Sequence, residues 1–143
     1  MARAAWFSPL VLILVICGGA VGVAARAALT LPFSAGAHPL LLPALTLVIN
    51  LVGALLLGAV VGALDDRHPR WRSFLGTGVM GGFTTYSAFA VHVVTTGSSA
   101  PLVGLLLAAI TIFGGTLAGA VGLALGRRIV DRPGEIESPE EAE

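Results

Sequence analysis

Asn50 stands in the middle of an uncharged stretch, Thr46-Leu47-Val48-Ile49-Asn50-Leu51-Val52-Gly53, with Thr46 one turn earlier on the same helical face. An amide placed in hydrocarbon must find partners or cost several kcal/mol. It therefore either ties helices together or faces something polar that passes. The second polar feature is Gly81-Gly82-Phe83-Thr84-Thr85-Tyr86-Ser87-Ala88-Phe89, where two glycines and two β-branched residues weaken a helix near the middle of its span. Non-helical backbone at that depth is tolerated only where it is buried in protein or lines a cavity, and its freed carbonyls can coordinate a cation. The hydroxyl hydrogens and ring edges that follow are weak donors, suited to an anion that has shed its water without being trapped by a full positive charge. Passage of a small anion is the chemistry this combination suggests.

Other chemistries lack their residues. No acidic residue lies within the apolar stretches, which argues against a proton-coupled exporter carrying its proton on an intramembrane carboxylate. There is no phosphate-cradling loop, no His/Cys pair at metal-ligand spacing and no Ser/His/Asp constellation, so no enzyme is expected. The single cysteine, Cys17, sits in an apolar run and excludes a disulfide framework.

The elements that must position these residues follow from composition. Of 143 residues, 56% are hydrophobic and 11% charged, with a mean hydropathy of +0.94, against roughly 25% charged in a soluble domain. All eight basic residues are Arg, and every charge sits at 3, 26, 65 to 72 or 127 to 143. A span needs roughly 20 apolar residues. The sequence predicts four, at about 9–28, 39–64, 73–94 and 101–125, the last two divided at the turn-type cluster 95–101. The fold class is thus an all-α integral membrane protein with four transmembrane helices, the third broken near 81–85. Continuous apolarity, without a period of two, argues against a β-barrel. Residues 1–126 read as one transmembrane domain, and the acidic stretch 127–143 as a disordered tail. Arg3 and the run from Pro9 to Cys17 imitate a signal sequence, but Ile16 is too large for a lipoprotein site and apolar residues continue to Ala25, so this segment reads as a retained first helix.

Glycines recur four apart: Gly18 and Gly22, Gly58 and Gly62, Gly78 and Gly82, Gly115 and Gly119. Such pairs let helix backbones approach closely in lipid. Four helices leave little room for an internal pathway, which favours an oligomer. Arg3, Arg67, Arg70, Arg72, Arg127, Arg128 and Arg132 fall on one side of the membrane and at most Arg26 on the other, so both termini are expected in the cytoplasm and the chain in the cell inner membrane.

Taken in order, these segments resemble the CrcB/Fluc family of fluoride channels: Gly18-Gly19-x-x-Gly22 with Arg26, Thr46-Leu-Val-Ile-Asn50 with Gly53, and Gly78-x-x-Gly81-Gly82-Phe83-Thr84-Thr85-Tyr86-Ser87-Ala88-Phe89. The resemblance covers nearly the whole chain to about residue 126. It implies an antiparallel dimer of four-helix subunits with two fluoride pores and a central structural sodium ion. It implies that carbonyls near Gly81 and Thr84 lie at the sodium site and that Asn50 is a pore amide donor. It makes Phe89 the second ring of an aromatic pair, Ser87 a pore hydroxyl and Arg26 a vestibule arginine, with Thr46 and Thr85 carried over more weakly. In the fourth span Thr111 and Thr116 are both candidates, and the sequence does not choose between them.

The chain departs from the family's pattern in places. Tyr86 stands where the first phenylalanine of the pair is expected, and its hydroxyl either donates to the anion or obstructs it. Ala88 lacks a hydroxyl often found there, and His92 replaces an acidic residue. About seven Arg against one is a strong orientation signal for a chain expected to insert both ways. The expectation is therefore a dimer with a homologous, non-identical subunit. The expected partners are fluoride, membrane lipid and that subunit, with no nucleic acid. Against the channel reading stand a nonconducting assembly subunit of a heterodimeric channel and a small four-helix exporter.

Overall fold

A computed structural model describes residues 8–34, 38–64 and 68–130. The expectations for Arg3, for Asp65, Asp66 and Arg67, and for 131–143 concern residues outside that set. Among the described residues every regular element is helical. Helix α1 is Pro9–Thr30, continued by a tight turn at Leu31–Phe33. Helix α2 is Leu41–Leu64, α3 is 69–83, α4 is Tyr86–Ser99 and α5 is Pro101–Val130. Pro9, Pro69 and Pro101 stand in the first turns of α1, α3 and α5, where a missing N–H costs nothing and φ is already helical.

Three helices are long and apolar enough to cross a membrane, Pro9–Phe33, Leu41–Leu64 and Pro101–Val130. The third expected span is two shorter rods, α3 and α4, separated by Thr84 and Thr85. Its break is narrower than 81–85 and falls on the threonines. Thr84 (φ −75°, ψ 160°) and Thr85 (φ −148°, ψ 116°) are extended, a backbone that β-branched residues favour. Gly81 and Gly82 remain helical, and Gly82 serves another purpose, since a Cβ there would strike the Gly19 carbonyl oxygen.

Two further boundaries differ from expectation. The serine and threonine cluster before Pro101 stays helical to Ser99, the hydroxyls of Thr95, Ser98 and Ser99 donating back along the helix to the carbonyls of Val91, Thr95 and Thr96. The turn is reduced to Ala100, and Gly97 and Gly104 pack so closely beside it that a Cβ on Gly104 would lie 2.6 Å from the Gly97 Cα. Helix α5 continues to Val130, past the expected end at 125, so residues 127–130 belong to a helix instead of a tail. Arg127 and Arg128 in its last turn complement the negative end of the helix dipole.

Packing runs through glycine. Helix α1 lies against α3, with Gly18 and Gly22 facing the backbone at Phe74, Gly78, Val79 and Phe83. Helix α2 lies against the second half of α5, where Gly58 and Gly62 meet Gly119, Leu123 and Arg127 backbone, and Gly122 and Gly126 meet Leu55 and Ala59. The expected Gly115–Gly119 pair is not the contact: nothing lies within 4 Å of a Cβ on Gly115. The first half of α5 packs on α4. Among the described residues Ile49 is the buried large hydrophobe, while Leu12, Ile16, Val48, Leu105, Phe113, Leu117 and others are exposed. Small residues inside and large apolar ones outside is the distribution lipid requires.

Candidate functional site

The break between α3 and α4 is held by one side chain. Asn50 accepts from the Thr85 N–H through Oδ1 (2.9 Å) and donates from Nδ2 to the Thr85 carbonyl (3.1 Å). A planar amide offers a donor and an acceptor side by side, as a neighbouring strand would, so Asn50 pairs with both main-chain groups of Thr85, including the N–H that the lost helical turn releases. The fit also needs Gly53, one turn on, because a Cβ there would strike the Thr84 methyl group.

Each half-helix is finished at the break. Thr85 caps α4, its Oγ1 accepting from the Ala88 N–H at 3.2 Å and lying 3.3 Å from the Ser87 Oγ. Thr84 sends its N–H and its hydroxyl back to the Met80 carbonyl, at 3.0 and 2.8 Å. Arg26 Nε donates to the Gly82 carbonyl at 3.3 Å, setting a cation against the negative end of α3. The N–H that an unbroken helix would send to the Gly81 carbonyl is that of Thr85, which Asn50 has taken. Thr85→Ala is expected to lower stability by about 1 kcal/mol through loss of the cap, with Thr85→Ser close to the parent, as read by thermal unfolding in detergent.

Two cavities meet here. One, of about 220 Å³, is lined by Arg26, Thr30, Ser34, Thr46, Thr85 and His92 among others. The other, of about 450 Å³, is lined by Asn50, Thr84, Thr85, Tyr86, Phe89, Thr111 and Thr116 with apolar neighbours. Thr85 lines both. Thr46 is buried and faces the smaller cavity, so the two polar residues of α2 serve opposite sides of the break. Tyr86 and Phe89 rings pack at 5.9 Å between centroids, and Tyr86 is 80% exposed on this chain. Ser87 is exposed and lines neither cavity, reaching the site only through the Thr85 hydroxyl. Gly81 is also exposed and outside both.

Thr111 and Thr116 both line the larger cavity, and the reason is the winding of α5. At 100° per residue, positions five apart stand about 140° apart on a helix. Residues Ile110–Gly114 form a wider π-type turn, which brings the two threonines towards one face. Composition carries no sign of that bulge beyond Gly114-Gly115.

Apolar helices around a broken rod, with cavities that carry polar side chains on both sides of the break, define a membrane protein of the channel and transporter class. The family model described as CrcB-like protein, Camphor Resistance (CrcB), matches residues 13–123, and the chain belongs to that family, whose members are ion channels and not enzymes. It is 44% identical over 132 residues to "Fluoride-specific ion channel FluC 2" of Leifsonia xyli subsp. xyli, covering 86% of this chain and 88% of the relative. A protein of the same name in Bacillus subtilis is 37% identical over 117 residues, covering 80% and 86% of the two chains. Another, in Thermobifida fusca, is 37% identical over 127 residues, covering 85% and 92%.

Proposed function

We propose that this chain is a subunit of a passive fluoride channel that lowers cytoplasmic fluoride. The observation that carries the reading is the meeting of two mainly apolar cavities, each with a few polar side chains in its wall, at Thr85, where α4 begins. A helix start presents unpaired N–H groups and the positive end of a dipole, which favours an anion without a full charge. Asn50 spends one of its two amide hydrogens on Thr85 and keeps the other for the ion. Arg26 supplies the cation of the smaller cavity, which serves as vestibule, and Tyr86, Phe89, Thr111 and Thr116 line the route on the far side. The relatives' names supply the identity of the anion.

From acidified surroundings fluoride enters the cell as neutral HF, which dissociates at neutral pH and is trapped as the anion, so a pore drains it down the electrochemical gradient. No coupling carboxylate is then needed, in keeping with the absence of acids in the spans. The exporter reading lacks an intramembrane carboxylate to carry a coupled proton.

The reading includes an antiparallel dimer with a structural sodium ion between the breaks. The donor set fits a hard cation, which takes oxygen ligands: Gly81 has lost its helical N–H partner and lies on an open flank with nothing within 4 Å of a Cβ position. Thr84, whose hydroxyl is turned back to Met80, offers its carbonyl. One chain offers too few oxygens, so a second must complete the set. Sodium would supply electrostatic cross-linking of the two breaks and take no part in transport. We take the second subunit to be homologous but non-identical, inserted oppositely, with both termini of this chain in the cytoplasm of a cell whose inner membrane holds it. The Arg bias supports that, as do relatives bearing the numbered names FluC 1 and FluC 2.

The test is fluoride efflux from liposomes containing sodium and the purified chain, with and without a co-expressed homologue, and chloride as control. Efflux selective for fluoride only in the presence of both chains is the expected result. Selective efflux from the chain alone would overturn the pairing and keep the channel. Folded protein that conducts nothing in either case, or conducts equally with Thr111→Val and Thr116→Val in this chain, would favour a nonconducting assembly subunit.

A further inference from the structure

A third cavity, of about 420 Å³, opens far from the break, where α1 and α3 begin side by side. Leu10 and Leu14, one turn apart on α1, form one wall; Trp71 and Phe74, packed edge to face with centroids 6.1 Å apart, form the other. Arg70 closes the end at the start of α3. It is exposed. Trp71 is 58% exposed at the same level, the position of an interfacial aromatic belt.

We propose that this groove binds an anionic phospholipid, with the phosphate on Arg70 and an acyl chain between Leu10, Leu14 and Phe74. Charge and shape select that occupant. The walls are apolar and continuous with the lipid-facing side of α1, where Leu10, Ile13 and Ile16 are exposed, so a chain already in the bilayer enters without leaving hydrocarbon. The charged end is an arginine, whose planar fork matches phosphate oxygens. A basic residue beside an apolar cleft at a helix start meets both ends of one amphiphile. The groove lies on the side that carries the other arginines of the topology count, and a lipid held there would fix the register of α1 against α3 from the end opposite the break. The inference rests on membrane placement and is independent of which ion the chain conducts.

Native mass spectrometry of the full chain in detergent, titrated with phosphatidylglycerol and with phosphatidylcholine, tests it. The expected result is preferential retention of phosphatidylglycerol, reduced roughly fivefold by Arg70→Gln, while Arg128→Gln at the end of α5 leaves it unchanged. Equal retention of both lipids overturns the proposal, as does an equal loss with Arg128→Gln, which would mark diffuse attraction to basic surface. Disulfide cross-linking of a Trp71→Cys variant to a second copy in lipid would show that the groove is a subunit interface and overturn it also.

Discussion

Asn50→Ala is expected to lower fluoride efflux at least tenfold and to destabilise the protein by about 2–4 kcal/mol, the lower part of the range for leaving two main-chain groups unpaired. The variant strips the Thr85 N–H and carbonyl of their shared partner. The main chain then has two ways to recover. It can rewind, sending the Thr85 N–H to Gly81 and closing the break, or it can remain extended with both groups unsatisfied. Either course removes the start of α4 from the junction of the two cavities. Asn50→Asp separates the two duties of the amide. Its carboxylate still accepts from the Thr85 N–H but cannot donate to the carbonyl, and it places negative charge on an anion's route. Efflux should therefore fall as far as in Asn50→Ala with a smaller loss of melting temperature. Unchanged efflux and unchanged melting in Asn50→Ala would refute the clamp. Lost efflux with unchanged melting would leave Asn50 as an anion donor alone.

That clamp shows where sequence reading reaches its limit. Asn50 is conspicuous because an amide in an apolar run demands partners, and the third span is suspect because glycines and threonines crowd it. Both expectations lead to the same place in the fold, yet neither says that Asn50 and Thr85 satisfy each other across 35 residues. Nor does the pattern assign roles within the break. Glycine lowers helix propensity and also permits close helix contact, and in lipid the second use prevails at Gly82, leaving the extended backbone to the β-branched pair that follows. Thr111 and Thr116 are both open in the sequence, because the family's polar positions are not clearly matched in the fourth span, and a straight α-helix would put the two on different faces. The π-type turn at Ile110–Gly114 removes the choice by bringing both to the cavity. The same limit applies to Ser87, two residues after the capping threonine in sequence but on the exposed face in space.

The glycine seams carry the second large effect, and α5 contains both the test and its control. A Cβ on Gly122 would overlap the Leu55 carbonyl oxygen and stand 3.0 Å from the Ala59 nitrogen, so the obstacle is backbone of α2 that no rotamer change can move. Three residues earlier, a Cβ on Gly119 would find only the Ala54 carbonyl oxygen at 3.7 Å, an ordinary contact. Gly122→Ala is therefore expected to push α2 and α5 apart and cost about 3 kcal/mol, the upper end of overpacking penalties. Gly119→Ala should be neutral or raise stability by up to about 1 kcal/mol, since alanine is the better helix former. Thermal unfolding of the two variants in the same detergent, with size-exclusion profiles to detect dispersed species, measures the difference. Equal melting temperatures would mean that the α2–α5 contact is looser than the backbone geometry requires. The comparison also decides between two uses of glycine that sequence spacing cannot tell apart. Gly115 and Gly119 form as good a four-residue pair as Gly122 and Gly126, and only the second pair has backbone against both members. Separation of α2 from α5 would in turn pull Asn50 away from the threonines that line the larger cavity, so Gly122→Ala should reduce efflux even where the protein still inserts.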